Sequence, residues 1–147
     1  MIGDLTSALW ETLYMVFVST FFSGIFGSLV AVLMIVTGPS GLHPKKSIYR
    51  VIDVAVNLLR SFPFIILLIA IIPLTRLIAG TSIGSTASIV PLTVAATPFV
   101  ARLMEGSLLE VDRGVVEAAK SFVASTSQII FRVMIREAMP SLVLNWA

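Results

Sequence analysis

Residues 12–36 read TLYMVFVSTFFSGIFGSLVAVLMIV, and no charged side chain interrupts them. A helix needs about 20 predominantly apolar residues to cross the hydrocarbon of a bilayer, so this stretch is long enough to be a membrane span. No Lys or Arg precedes it, and it outruns the roughly 7–15 apolar residues of a signal-peptide core, which marks it as a retained helix. Lipid, not water, is the solvent this segment was built for.

The rest of the chain fits that solvent. Of its 147 residues 57% are apolar and only 12% charged, and the mean hydropathy is +1.02, too apolar for an ordinary soluble domain. Residues 61–75 are free of charge but short, so a second span has to borrow from the helix before them and is expected at about 54–75. Residues 77–101 are again uncharged, with Gly80, Gly84 and several hydroxyl residues at the start; a short loop and a third span at about 85–102 follow. The expectation is an all-α, polytopic transmembrane helical bundle. Its three spans precede a polar loop at about 103–139, and the residues inside them include almost no ionisable side chain.

Cations set the orientation, because short loops retain Lys and Arg on the cytoplasmic side. Lys45, Lys46, Arg50 and Arg60 flank the first loop, and Arg102, Arg113, Lys120, Arg132 and Arg136 follow the third span. Arg76 alone lies between spans two and three. The N-terminus, with Asp4 and Glu11, is therefore expected outside and the polar loop inside. In that loop Glu105, Glu110, Asp112, Glu117 and Lys120 form the polar part of the chain, and Ile129, Ile130, Val133 and Met134 make an amphipathic stripe that would lie on the membrane or on other helices.

Several chemistries are excluded or weak. With no Cys there is no disulfide, Cys-bound zinc or thiol nucleophile. The pattern G-x-x-x-x-G-K-S/T is absent, so ATP is not held by a P-loop here and any ATP-derived energy must come from a partner. His43 stands alone beside Pro44 and reads as a loop residue, so no metal or cofactor is expected. The acids outside the spans lack a cavity that would tune them for catalysis, and a net charge of +2, unevenly placed, points to no nucleic acid. The chain is not expected to be an enzyme.

Three features inside the spans invite a role. Ser19, Ser23, Gly27 and Ala31 recur at four-residue steps, a small-residue face suited to close helix packing. Pro91, Thr93, Thr97 and Pro98 place freed backbone carbonyls and hydroxyls in span three, which a translocation path would hydrate and which a kinked, packed helix would satisfy internally. Arg60, followed by Ser61 and Pro63, reads as a device that starts a helix, with a guanidinium able to snorkel to the headgroups.

Residues 117–119 read EAA, within VVEAAKSFVAS, and IIFRVMIREAMP follows from Ile129. This resembles the EAA loop of ABC importer permeases, written EAA-x-x-x-G with I-x-L-P downstream. RSFPFIILL from Arg60, IVPLTVAATPFVAR from Ile89 and EVDRGVVEAA from Glu110 sharpen the likeness to the methionine-uptake permeases. The resemblance covers nearly the whole chain. It implies that residues 1–147 are a partial ABC transporter permease transmembrane domain in a bacterial inner membrane, with the last family spans beyond Ala147. It further implies a second copy of the permease, ATP-binding subunits inside, an external substrate-binding protein, and D- or L-methionine as cargo. Carried over, Glu117, Ala118, Ala119 and Lys120 fall on the coupling helix that docks on the ATPase. Small residues there let two backbones approach, and charges at the rim fix the register.

The pattern is departed from at Val123, where the family has Gly, at Val133 for Ile, and at Ile135 and Arg136 for Leu-Pro. A β-branched residue is poorly suited to positive φ, which predicts a rearranged turn or impaired coupling. The residues alone leave two other readings open. One is a segment of a secondary transporter or channel, for which ionisable side chains inside the spans would be expected. The other is a non-transporting membrane fragment.

Overall fold

A computed structural model describes residues 2–146, and among these residues every regular element is a helix. The first, α1 (Ile2–Thr37), has 36 residues, a length of about 54 Å that exceeds the apolar thickness of a bilayer. Its apolar outer face, with Phe17, Phe21, Leu29 and Leu33 exposed, is suited to lipid. Its other face packs along α5 (Ser85–Leu109), the second helix long and apolar enough to cross.

The α1–α5 contact is built on the small-residue face. Ser19, Ser23, Gly27 and Ala31 are all buried. A Cβ added at Gly27 would lie 2.5 Å from Val100 Cγ1 and 3.1 Å from the Ala101 nitrogen, so the two backbones come as close as they do because nothing projects there.

Between them the chain departs from a continuous second span at 54–75. Helix α2 (Lys46–Ser61) stops, α3 (Phe64–Ala70) sets off at 112° to it, and α4 (Ile72–Ala79) follows. The cause is Pro63: its ring forces the preceding residue out of the helical region, and Phe62 is extended at φ −74°, ψ 133°. The Arg60–Ser61–Pro63 sequence therefore starts a helix as expected, but on a new axis. α2 and α3 qualify as a crossing only as a bent pair. Gly80, at φ 73°, closes α4, and a short loop leads to Ser85, the expected start of α5.

Helix α5 continues to Leu109, a full two turns past Arg102. Residues 103–109 thus extend the spanning helix instead of opening the loop. A short α6 (Arg113–Ser121) then precedes α7 (Thr126–Gln128), a π-helical stretch at Ile129–Met134 and α8 (Ile135–Trp146). The expected stripe faces inward: Ile129 and Met134 join Ile35, Leu108, Ala138 and Leu142 in one buried cluster. Asn145 Nδ2 donates to Ser107 Oγ at 2.7 Å and ties α8 to α5. The loop after α1 is fastened to the same end, through His43 Nε2 and Thr126 Oγ1 at 2.9 Å and through Arg113 Nη2 donating to Ser40 Oγ at 3.0 Å. This pole is called the α6 end below. At the opposite pole Ser85 Oγ donates to Glu11 Oε2 at 2.7 Å.

Candidate functional site: two cavities and the α6 loop

The α6 loop is a compact, separately capped unit. Asp112 caps α6, its Oδ1 accepting from the Gly114 N–H at 2.6 Å. The helix ends in a reversed turn: Val123 N–H donates to the Lys120 carbonyl at 3.0 Å and Ala124 N–H to the Ala119 carbonyl at 3.4 Å. That pair of bonds is the Schellman pattern, which needs a left-handed residue between them. Val123 supplies it at φ 57°, the only non-glycine with positive φ among the described residues. The turn is therefore kept despite the missing glycine, at the cost of strain, and is not rearranged. Ser125 and Gln128 then start α7 with a reciprocal capping box.

The EAA residues divide by face. Glu117, Ala118 and Lys120 are exposed, whereas Ala119 is half-buried against the chain's own apolar cluster, beside Val116 and Ala124. At the end of the helix Phe122 and Val123 are 87% and 92% exposed. Glu117, Ala118, Lys120 and an apolar tip are thus among the exposed parts of the loop.

Between α6, the loop after α1 and the end of α5 lies a lower cavity of about 650 Å³, lined by Met34, Tyr49, Glu105, Arg113, Glu117 and Lys120 among others. At the level of the spans is an apolar upper cavity of about 640 Å³ between α1, α2 and α5, with Phe26, Val30, Val56, Thr93, Thr97 and Pro98 in its wall. Of the four residues proposed for a pathway, Thr93, Thr97 and Pro98 line it; Pro91 is buried in α5 but is not part of the wall. Thr97 Oγ1 donates to the Thr93 carbonyl at 2.7 Å, the internal satisfaction expected of a packed helix. Thr93 Oγ1 is different: it is buried and has no hydrogen-bond partner. An unpaired hydroxyl on an apolar wall is costly unless something polar visits it.

Composition hid a further group. Arg102 Nη1 donates to Glu105 Oε2 at 2.7 Å, and Nη2 donates to Asp53 and, at 3.0 Å, to Asn57 Oδ1. Tyr49 Oη donates to Glu105 Oε1 at 3.0 Å. Glu105, expected in an open polar loop, is 4% exposed inside the bundle. The helices therefore hold an ionic cluster that the count of charges per segment missed; Asp53, Asn57 and Tyr49 at four-residue spacing on α2 were the available signal. Arg60 sits one turn further along, its guanidinium 5.1 Å from the centre of the Phe99 ring. Among the described residues no His, Asp and Glu group is placed to hold a metal ion.

A broken-helix, polytopic α-bundle with a capped, outward-facing loop helix is the architecture of a membrane transport component. Residues 25–145 match the family described as binding-protein-dependent transport system inner membrane component, and the chain belongs to that family. It is 53% identical over 134 residues to the D-methionine transport system permease protein MetI of Yersinia pestis, a match covering 91% of this chain and 62% of that one. With the protein of the same description from Escherichia coli K12 it shares 49% identity over 139 residues, covering 95% and 64%. The chain thus spans somewhat less than two thirds of these relatives. Among solved structures, a chain of the MetNI methionine ABC transporter in an inward-facing conformation superposes with a TM-score of 0.94 at 48% identity, covering 99% of this chain and 67% of that one. A chain of an amino acid ABC transporter shares the fold, with a TM-score of 0.65 at 19% identity.

Proposed function

We propose that this chain forms part of the membrane-spanning permease of an ABC importer that carries methionine, in the D or L form, across the inner membrane. ATP hydrolysis belongs to a partner subunit, and an external binding protein delivers the substrate to a pathway formed by two permease copies. The carrying observation is the 53% identity to a D-methionine permease, sustained over 91% of this chain. The architecture supports it, because α6 is held on the bundle by Val116 and Ala119 while Ala118 is exposed, as are Glu117 and Lys120 at the rim of the lower cavity, accessible to a cytoplasmic ATPase. The cations gathered at the α6 end support an orientation with that end inside the cell.

The faces of α6 select the test. Ala119 serves the chain's own core, so bulk is better added at Ala118. In a complete permease, co-purification with its ATPase subunit is expected to fall at least tenfold in Ala118→Trp and Glu117→Trp, with membrane insertion unchanged. Full recovery of the ATPase by both variants would refute the docking surface. Loss of methionine uptake in cells carrying them, with uptake of an unrelated amino acid intact, checks the cargo.

A further inference from the structure

The guanidinium of Arg60 lies 5.1 Å from the centre of the Phe99 ring, and that contact fixes its depth. Phe99 precedes Val100, the residue packed on Gly27 of α1. From Gly27 the uncharged stretch of α1 runs about 14 Å on to Val36 and about 22 Å back to Thr12. The Phe99 level is therefore well inside the bilayer, away from the headgroups on either side. The helix that carries Arg60 breaks within one turn of it, where α2 gives way to α3 at Pro63. Broken backbone at membrane depth is tolerated where it is buried in protein or lines water, because lipid cannot satisfy the freed groups.

At that depth the charge is neither buried nor neutralised. Arg60 is exposed and Phe99 is 51% exposed, and among the described residues the guanidinium meets the ring and no carboxylate. Asp53, the one acid of α2, is engaged by Arg102. Neither Arg60 nor Phe99 belongs to the wall of the upper cavity, although their chain neighbours Leu59 and Pro98 do; the pair lies on the surface of the α2–α5 seam. A bare guanidinium against hydrocarbon is costly, so this surface meets water or an anion in the assembled protein. A guanidinium set over a ring keeps its in-plane N–H donors, and their fork matches the two oxygens of a carboxylate. We infer that Arg60 binds the carboxylate of the transported amino acid, on a face of the seam that water reaches. The identity of the anion rests on the importer reading, to which the inference adds the residue and the contact.

The test uses the complete permease assembled with its ATPase subunit and binding protein in proteoliposomes. Arg60→Gln is expected to lower the initial rate of methionine uptake at least tenfold, with co-purification of the ATPase unchanged. Arg60→Lys keeps the charge but loses the fork and is expected to cost about threefold. Phe99→Leu removes the ring but keeps the cation, and its cost is expected to stay within about threefold. A second measurement needs no glutamine variant and decides the matter if Arg60→Gln fails to accumulate. Methionine carrying carbon-13 in its carboxylate is supplied at saturation to a permease with nitrogen-15 in its guanidinium groups, the other subunits being unlabelled. Solid-state NMR is expected to show a carbon–nitrogen contact within about 4 Å, and its disappearance in Arg60→Lys assigns it to Arg60. Unchanged uptake in Arg60→Gln, a lysine variant no better than the glutamine one, or absence of the contact overturns the inference. So does a loss in Phe99→Leu as large as that in Arg60→Gln, which would make the pair a clasp between α2 and α5. Failure of the importer reading looks different: the unsubstituted importer then takes up no methionine at all.

Discussion

Replacing Val123 by glycine tests whether the α6 turn is strained as its geometry indicates. Val123 holds φ 57°, where an L-residue pays about 1–2 kcal/mol, the β-branch favouring the upper part. Its side chain is 92% exposed, so almost no burial is lost on removal. Glycine in turn gives back about 0.4–1 kcal/mol through the greater freedom of its unfolded chain. The net is about 1 kcal/mol in favour of Val123→Gly, or about a fivefold smaller population of the opened turn. Hydrogen exchange reads that population at the amides of Phe122 and Ala124, which bond to the Ala118 and Ala119 carbonyls at 3.3 and 3.4 Å. Exchange at both is expected to slow about fivefold in Val123→Gly. Val123→Ala, which keeps the left-handed penalty, should slow it by much less. Equal or faster exchange in the glycine variant would refute the strain argument.

Three further perturbations discriminate as sharply. Gly27→Ala puts a Cβ 2.6 Å from Val100 Cβ and is expected to destabilise the bundle by about 1–3 kcal/mol in a detergent unfolding assay; a companion Val100→Gly should recover much of the loss. Thr93→Val removes the unpaired buried hydroxyl and is expected to raise stability by about 1–3 kcal/mol while slowing methionine uptake; a stability loss would show that the hydroxyl is paired in the membrane. Asp112→Ala deletes the cap on the Gly114 N–H and should cost about 1 kcal/mol, seen as faster exchange in the first turn of α6 with α5 unaffected.

How far the sequence disclosed this molecule depends on which physics each segment obeys. Residues 12–36 were legible because crossing lipid needs only length and apolarity, and the small-residue face from Ser19 to Ala31 was legible because close helix approach needs a four-residue period. The break in the second stretch was not legible because charge-free length was weighed above Pro63, whose effect on Phe62 is purely local and turned the helix by 112°. Helix α5 extends beyond Arg102, the charge that marked the expected end of the third span. α5 runs on because Arg102 and Glu105 satisfy each other three residues apart.

The same substitution of pairwise for single-residue logic explains why the cluster was invisible. Taken alone, Asp53, Arg102 and Glu105 are charges that would each be costly in lipid, and each therefore fell at or beyond the edge of an expected span. Brought together they satisfy one another, and the cost of any one depends on the others remaining in place. A hydropathy count is additive over residues, whereas the free energy of such a group is not. Charges that hold two helices together are for that reason the feature of a membrane protein least visible to composition.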